Sequence, residues 1–315
     1  MRVSVSVPIY NTSRYLEQCL NSLLAVHSQN IEFILIDDGS TDDSGRICDE
    51  FTARDSRFRV IHQSNGGSAV ARQSGVDNSN GEYVIVCDSD DWIEPDIYDR
   101  LYDAAKATDA DIVVCGYYSE YEDGRSIPSQ VIFKEENGLV DNYDFLKKGA
   151  GSSWVKLIRR SLFSKTKTSY TPDINLSEDS LIIYKLMRGN PKVVQIKANL
   201  YHYRRLFGSN SYTNNITMRH IHQLRYTYDW LKNNYTDSIY AHIIFQRAID
   251  LAFACLRAKD LDAAYLKKFL KSELPLKSIF ANRLSAKSAM AIIEKTFPIH
   301  FSQFILKSLY KFVYR

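Results

Sequence analysis

Three aspartates within four positions are the clearest candidates for chemistry in this sequence. Asp88, Asp90 and Asp91 directly follow the apolar run 83–87, which is typical of a buried strand in a parallel sheet. In an open α/β sheet the carboxyl ends of the strands form the rim of the ligand crevice. Asp88 and Asp90 therefore predict two converging carboxylates with Mg²⁺ or Mn²⁺ between them and the phosphates of a substrate. The alternative is an acidic surface turn, since most Asp/Ser clusters are turns.

The elements that must position these acids are predicted by hydrophobic periodicity. Strands are predicted at 3–9, 32–36, 58–61 and 83–87, and helices at about 13–24 and 44–54 and in the segment that carries Arg72. This βαβαβαβ order predicts an α/β protein with a mostly parallel, doubly wound, Rossmann-like sheet.

Each of the four predicted strands ends in a polar cluster. The clusters are Tyr10-Asn11, Asp37-Asp38, Ser64-Asn65 and Asp88 to Asp90. Because parallel strands end at one edge of a sheet, these side chains predict a polar pocket at that edge. The sequence has neither Gly-x-Gly-x-x-Gly nor Gly-Lys-Ser/Thr, so dinucleotide and P-loop binding are not indicated.

Four motifs together resemble the family 2 glycosyltransferases. They are V-S-V-P-I-Y-N at 5–11, D-D-G-S-T-D at 37–42, N-G-G-S-A-V-A-R at 65–72 and D-S-D-D at 88–91. The resemblance implies a GT-A fold and an inverting, metal-dependent hexosyl or N-acetylhexosaminyl transferase that uses a nucleotide-diphosphate sugar. A catalytically silent nucleotide-sugar-binding or scaffold protein and a nucleotidyltransferase are the alternatives.

The resemblance also implies which residues bind the UDP-sugar donor: Pro8, Tyr10, Asn11, Asp38, Ser64, Asn65, Arg72, Asp88, Ser89, Asp90 and Arg204. Asp38 would accept a hydrogen bond from the uracil imide. Asp88 would meet the ribose side, and Asp90 would hold Mn²⁺ or Mg²⁺ on the diphosphate. A cation there stabilises the charge that the leaving diphosphate gains.

A second acidic pair, Glu178 and Asp179, opens a predicted amphipathic helix that Gly189 closes. From composition alone, acids at a helix start are most often caps that complement the macrodipole. The resemblance implies that the pair contains the general base that deprotonates the acceptor hydroxyl. We expect Asp179 to be that base rather than Glu178.

A basic segment at 201–211 contains His202 and Arg204. It could fold over a bound diphosphate or be an ordinary exposed loop. His202 is a candidate third metal ligand beside Asp88 and Asp90, although a lone histidine is more often a hydrogen-bonding partner.

Composition and the C-terminal residues indicate the compartment of the protein and its relation to a membrane. A net charge of +3 does not indicate nucleic acid, and the five scattered cysteines are typical of reduced core residues. No signal peptide or long apolar run is apparent, so a cytoplasmic protein is expected. Basic and aromatic residues mix through the last fifty positions, as in helices that lie on a membrane interface, although a helix packed on its own protein is equally compatible.

The predicted organisation is a catalytic domain at 1–215 and a helical region at 216–315 that could associate with a membrane. The catalytic domain would divide into a nucleotide-binding half at 1–116 and an acceptor half at 117–215. The resemblance implies sugar transfer from a UDP-sugar to a lipid-linked saccharide in bacterial surface polysaccharide synthesis.

Overall fold

The computed structural model describes residues 1–130, 132–136, 138–205, 216–260 and 262–273. The strands within these ranges are β1 Val3–Ile9, β2 Ile31–Asp37, β3 Phe58–His62, β4 Tyr83–Val86, β5 Trp92–Ile93, β6 Ile112–Tyr121, β7 Ser126–Ser129, β8 Glu135–Glu136, β9 Leu139–Val140, β10 Lys156–Arg159 and β11 Val193–Arg205. The helices are α1 Ser13–Leu24, α2 Ser44–Arg54, α3 Ser68–Asp77, α4 Ile97–Thr108, α5 Asn142–Lys148, α6 Arg160–Lys165, α7 Glu178–Met187, α8 Met218–Asn234, α9 Ala241–Arg257 and α10 Ala263–Glu273.

The described strands form one sheet whose main order is β3-β2-β1-β4-β10-β6-β11-β9-β8. Strands β3, β2, β1 and β4 are parallel, with Val5 opposite both Phe33 and Ile85. These side chains are at most 2% exposed, as expected for strands covered by helices on both faces. The predicted α/β class and the mostly parallel, doubly wound sheet are confirmed.

Strand β10 departs from the predicted parallel order. It lies antiparallel between β4 and β6, with Ile158 opposite Val84 on one side and Ile112 on the other. The inserted strand brings the residues just before it to the carboxyl end of β4. It thereby joins the second half of the chain to the predicted nucleotide-binding half.

A hairpin turns at Asp123 and Gly124 and pairs β6 with β7 at Ser126–Ser129. The Tyr121 amide donates to the Arg125 carbonyl directly across the turn. Pairing between the two strands therefore begins directly after the turn.

Helices α8, α9 and α10 enclose a second hydrophobic cluster, centred on Ile221, Cys255 and Phe269. Leu231 and Tyr235 instead belong to the main core, so α8 contributes to both. Within the described ranges no helix is long and apolar enough to cross a membrane. Most of the predicted membrane-binding tail lies outside the described residues, and the domain boundaries stay a prediction.

All five cysteines are buried and free, as the sequence indicated. The sulfurs of Cys19 and Cys87 lie 3.9 Å apart where α1 packs against the end of β4. Both side chains are fully enclosed by the main core.

Candidate active site

A cavity of about 580 Å³ opens where β1, β2 and β4 end and α3 begins. It is lined by Pro8, Ile9, Tyr10, Thr12, Asp38, Asn65, Gly67, Ser68, Ala71, Arg72, Asp88, Ser89, Asp90, Asn175 and Glu178. Most of the predicted donor-binding residues therefore share one cavity. Its lining combines the parallel strand ends with the segment that leads into α7.

Asp38 holds the turn that begins α3. Its Oδ1 accepts from the Gln63 side chain at 2.7 Å and from the Gly66 amide at 2.9 Å, and its Oδ2 accepts from the Gly67 amide at 2.8 Å. A carboxylate has about four acceptor positions, so three are filled by the chain. Asp38 thus retains room for one further donor on the cavity side.

Arg72, which is buried, is the cation at the centre of the site. Its Nη2 donates to Asp88 Oδ1 at 3.0 Å, and its Nη1 donates to Ser153 Oγ at 2.8 Å. Its Nε lies 3.5 Å from Glu178 Oε1, and this nitrogen has no hydrogen-bond partner among the described residues. Arg72 therefore lines the cavity with one buried nitrogen, Nε, that lacks a hydrogen-bond partner among the described residues.

The three aspartates after β4 have different surroundings. Burial, opposed by Arg72, raises the pKa of Asp88 to about 6, and burial also raises the pKa of Asp90. Asp91 is fully buried and accepts from the Tyr201 hydroxyl and from the Arg204 amide, both at 2.8 Å. Asp91 therefore fixes the turn, whereas Asp88 and Asp90 line the cavity.

The donor chemistry of Asp88 and Asp90 fits a hard divalent cation. Burial raises the pKa of both carboxylates, and the charges of Asp179 and Asp90 raise that of Asp88 further, so a cation would relieve these effects. No group of three or more His, Cys, Asp or Glu side chains suited to a metal occurs in the described part of the chain. Mg²⁺ commonly takes only one or two carboxylates and completes its shell with water and substrate phosphate.

The second acidic pair lies across the cavity at the start of α7. Glu178 lines the cavity, and burial together with the charge of Asp179 raises the Glu178 pKa to about 8. Asp179 does not line the cavity; its Oδ1 accepts from Ser153 Oγ at 2.6 Å and lies 3.5 Å from Arg72 Nη1. The two acids at the helix start therefore differ in environment, and the arginine that contacts Asp88 lies close to both.

Besides Asp179, four predicted site residues do not line the cavity. Asn11 has a left-handed φ of 52°, and its side chain accepts from the Thr41 amide, while Ser64 is exposed. The His202 ring nitrogens lie 2.7 Å from Glu120 and 3.1 Å from Glu94. The Arg204 guanidinium packs over Trp92 and donates from Nε to the Asp90 carbonyl. Their predicted contacts with donor or metal stay predictions.

Three other residues of the site had no assigned role in the sequence. Ser153 bridges Arg72 and Asp179, and Asn175 lines the cavity. Lys156 is buried, forms no salt bridge with a carboxylate of the described residues, and donates to the carbonyls of Gly151 and Ser152. Burial lowers its pKa to about 8. The run from Gly151 to Leu157, small residues and then a lone lysine between apolar ones, was the available signal.

The resemblance to GT-A glycosyltransferases implies this arrangement: a doubly wound sheet with paired carboxylates at its strand ends, beside a buried arginine on α3. Residues 4–166 match the family described as Glycosyl transferase family 2. The chain is 38% identical over 219 residues to glycosyltransferase GlyG of Streptococcus pneumoniae, covering 66% of this chain and 72% of GlyG. The chain therefore belongs to glycosyl transferase family 2.

Two further similarities agree with this assignment. Glycosyltransferase EpsH of Bacillus subtilis is 36% identical over 208 residues, which are 64% of this chain and 60% of EpsH. The structure of S. aureus TarS 1–349 in complex with UDP-GlcNAc superposes with a TM-score of 0.59 at 19% identity, over 93% of this chain and 79% of that chain. This structural likeness confirms the GT-A fold.

Proposed function

We propose that this protein is an inverting glycosyltransferase that moves a hexosyl or N-acetylhexosaminyl group from a UDP-sugar to a saccharide acceptor. The observation that carries the proposal is the meeting of Asp38, Arg72, Asp90 and Glu178 in one cavity, with Asp179 adjoining. The UDP-GlcNAc bound to the TarS neighbour supports the choice of donor. Membership of the glycosyltransferase family favours this reaction over nucleotidyl transfer.

We assign the nucleobase of the donor to the side of the cavity that the strand ends form. The remaining acceptor position of Asp38 suits the N–H of a uracil imide, since the other three are filled by Gln63, Gly66 and Gly67. Tyr10 lines the cavity with half of its surface exposed, so its ring is available to stack on the base.

The diphosphate is assigned to Arg72, Asp88 and Asp90. Arg72 lines the cavity beside Asp88, and its guanidinium charge suits a phosphate oxygen. Mn²⁺ or Mg²⁺ held by Asp90 and Asp88 would neutralise the charge that the leaving diphosphate gains. When the donor occupies the cavity, these contacts would keep water away from the anomeric carbon of the donor sugar.

Asp179 is assigned as the general base. Ser153 donates to Asp179 and accepts from Arg72, so the Asp179 carboxylate is held beside the arginine that lines the cavity. Glu178, with a pKa of about 8, would be mostly protonated at pH 7 and unable to accept a proton. The Asp179 carboxylate would take the proton of the acceptor hydroxyl as that hydroxyl attacks opposite the departing UDP.

A lipid-linked acceptor and a place in bacterial surface polysaccharide synthesis are proposed from the family resemblance. The same context would place the protein in the cytoplasm, on the inner membrane face where such acceptors are exposed. A basic, aromatic C-terminal tail is consistent with that position.

A panel of UDP-, GDP- and dTDP-sugars tests the proposal through UDP or other nucleotide release and thermal shift, with Mn²⁺, Mg²⁺ or EDTA. We expect stabilisation and slow hydrolysis with a UDP-sugar, both lost in EDTA and in Asp90→Asn. Activity that survives both treatments would overturn the metal assignment. A protein that binds a UDP-sugar but releases no UDP with any saccharide acceptor would instead be the catalytically silent alternative.

A further inference from the structure

We propose that Gln223 of α8 is a positioning residue for the acids at the start of α7, so that the C-terminal helices are part of the active site. The inference rests on the proposed function, because it assigns Asp179 and Glu178 a role in transfer. It adds a residue from a part of the chain that lies beyond the residues matched to the family.

Gln223 holds the segment that leads into α7. Its Oε1 accepts from the backbone amides of Asn175 at 3.0 Å and Leu176 at 2.8 Å. Gln223 is 6% exposed, so loss of its oxygen would leave two buried amides without this acceptor. Unsatisfied buried amides are costly, and the segment would be expected to move.

This segment is held in a conformation that needs support. Ser177, the residue before Glu178, has a left-handed φ of 69°, which is unfavourable for a residue other than glycine unless its surroundings enforce it. The hydroxyls of Ser177 and Thr227 lie 2.8 Å apart. Thr227 is four residues beyond Gln223, so one face of α8 contacts three successive residues of the segment.

The same segment reaches the donor side of the cavity. Asn175 Oδ1 accepts from the Ala69 amide at 3.0 Å, at the start of α3. A Cβ on Gly67 would lie only 2.4 Å from Asn175 Nδ2, so this contact is close-packed. Glu178 Oε1 also accepts from Ser68 Oγ at 3.2 Å. A shift of residues 175–177 would therefore disturb both the donor cavity and the acids.

The test compares Gln223→Met with Gln223→Glu and Tyr228→Phe in the full chain. Met keeps the length of the side chain but removes the acceptor oxygen, whereas Glu restores an acceptor. Tyr228→Phe is the matched control, because it removes a buried bond of α8 to Glu273, 2.7 Å long, that does not involve residues 175–177. The readouts are kcat and KM for UDP release from UDP-GlcNAc, or from the best donor of the panel, melting temperature, and hydrogen exchange of the 175 and 176 amides.

We expect Gln223→Met to lower kcat roughly 10–100-fold, since small misplacements of catalytic groups have effects of that size, and to speed exchange of both amides. Gln223→Glu should recover most of the turnover, and Tyr228→Phe should lower the melting temperature with kcat unchanged. Unchanged kcat or unchanged exchange in Gln223→Met would overturn the inference alone. Failure of the wild-type protein to release UDP from any donor would overturn the proposed function as well.

Discussion

At the scale of single residues, the site depends on one buried arginine shared among several acidic groups. Arg72 donates to Asp88 and Ser153 and lies 3.5 Å from both Glu178 and Asp179. Asp88 belongs to the proposed donor side, whereas the pair on α7 belongs to the proposed acceptor side. The charge of Asp179 raises the pKa of Asp88, and the charge of Asp88 raises that of Glu178, so ionisation on the two sides is coupled.

The first prediction distinguishes the two acids of α7. Asp179→Asn should lower kcat roughly 10²–10⁴-fold, as expected for loss of a general base, with little change in UDP affinity because Asp38 and Arg72 are retained. Glu178→Gln should be the milder change. The measurements are turnover with an acceptor and UDP titration calorimetry. An inactive Glu178→Gln protein would mean that Glu178, and not Asp179, is the general base.

The second prediction concerns the pH dependence of stability. The Glu178 pKa is about 8 in the folded protein and near 4.5 in an ordinary exposed state, so between these values the folded protein binds more protons than the unfolded one. The free energy of unfolding should therefore fall as the pH rises from about 4.5 to about 8. Glu178→Gln should flatten this fall and raise the melting temperature at pH 8 by several degrees, at roughly 2–4 °C per kcal/mol. If the melting temperatures of the two proteins change in parallel between pH 5 and pH 8, this result would contradict the raised pKa of Glu178.

Much of this site could be predicted from the sequence, because polar residues at strand ends must meet when the strands are parallel. Asp38, Asp88 and Asp90 were reached in that way, whereas the family resemblance supplied Pro8 and Arg72. Ser153 and Gln223 were not, because each acts through a hydrogen bond across a large sequence separation, and neither residue type has a distinctive spacing. Their roles follow only from tertiary packing.

At the scale of elements, α3 is packed unusually closely on β1. A Cβ on Gly75 of α3 would lie 1.8 Å from Ser6 Oγ and 2.6 Å from Ser6 Cβ. Glycine is unfavourable inside a helix, so its presence here reflects the short distance between helix and strand. That distance sets the position of Arg72, which lies one turn earlier on the same helix.

The third prediction tests this packing. Gly75→Ala should destabilise the protein by about 1–3 kcal/mol through overpacking, measured by denaturant unfolding. Adding Ser6→Gly should recover part of the loss, because it removes the atoms that the new methyl group meets. Equal stability of Gly75→Ala and wild type would show that helix and strand separate easily.

The order of the parallel elements could be predicted because β2 and β4 contain apolar runs and β1 alternates apolar with polar residues, whereas β10 could not. Its four residues, Lys156–Arg159, include a lysine and an arginine and give no period-2 pattern. Its place between β4 and β6 depends on pairing with partners remote in sequence. The antiparallel insertion is therefore a property of the assembled sheet rather than of the segment.

At the scale of the whole molecule, the C-terminal helices combine two roles. Helix α8 contributes Leu231 to the main core and Ile221 to the second cluster, and its Gln223 contacts the segment before α7. The chain after Glu273 lies outside the described residues, and it contains most of the basic and aromatic residues of the predicted membrane surface.

The fourth prediction concerns that tail. Truncation before Phe297 should release the protein from anionic liposomes, and binding of the full chain should weaken at high salt, because basic residues are attracted to anionic lipid. Pelleting with anionic and neutral liposomes measures both effects. A full-length Lys307→Glu/Lys311→Glu variant serves as the matched control for charge without loss of length. Equal pelleting of full-length and truncated protein would mean that the tail packs on its own protein and does not bind the membrane.

The buried thiols can be used to measure how often the folded chain opens. Because all five thiols are buried and unpaired, a thiol reagent can modify them only while the surrounding structure is transiently open. Cys255 belongs to the helical cluster and the other four lie in the sheet-containing part. The labelling rate of Cys255 relative to Cys19 and Cys87 therefore reports whether the two ends of the molecule open together or separately.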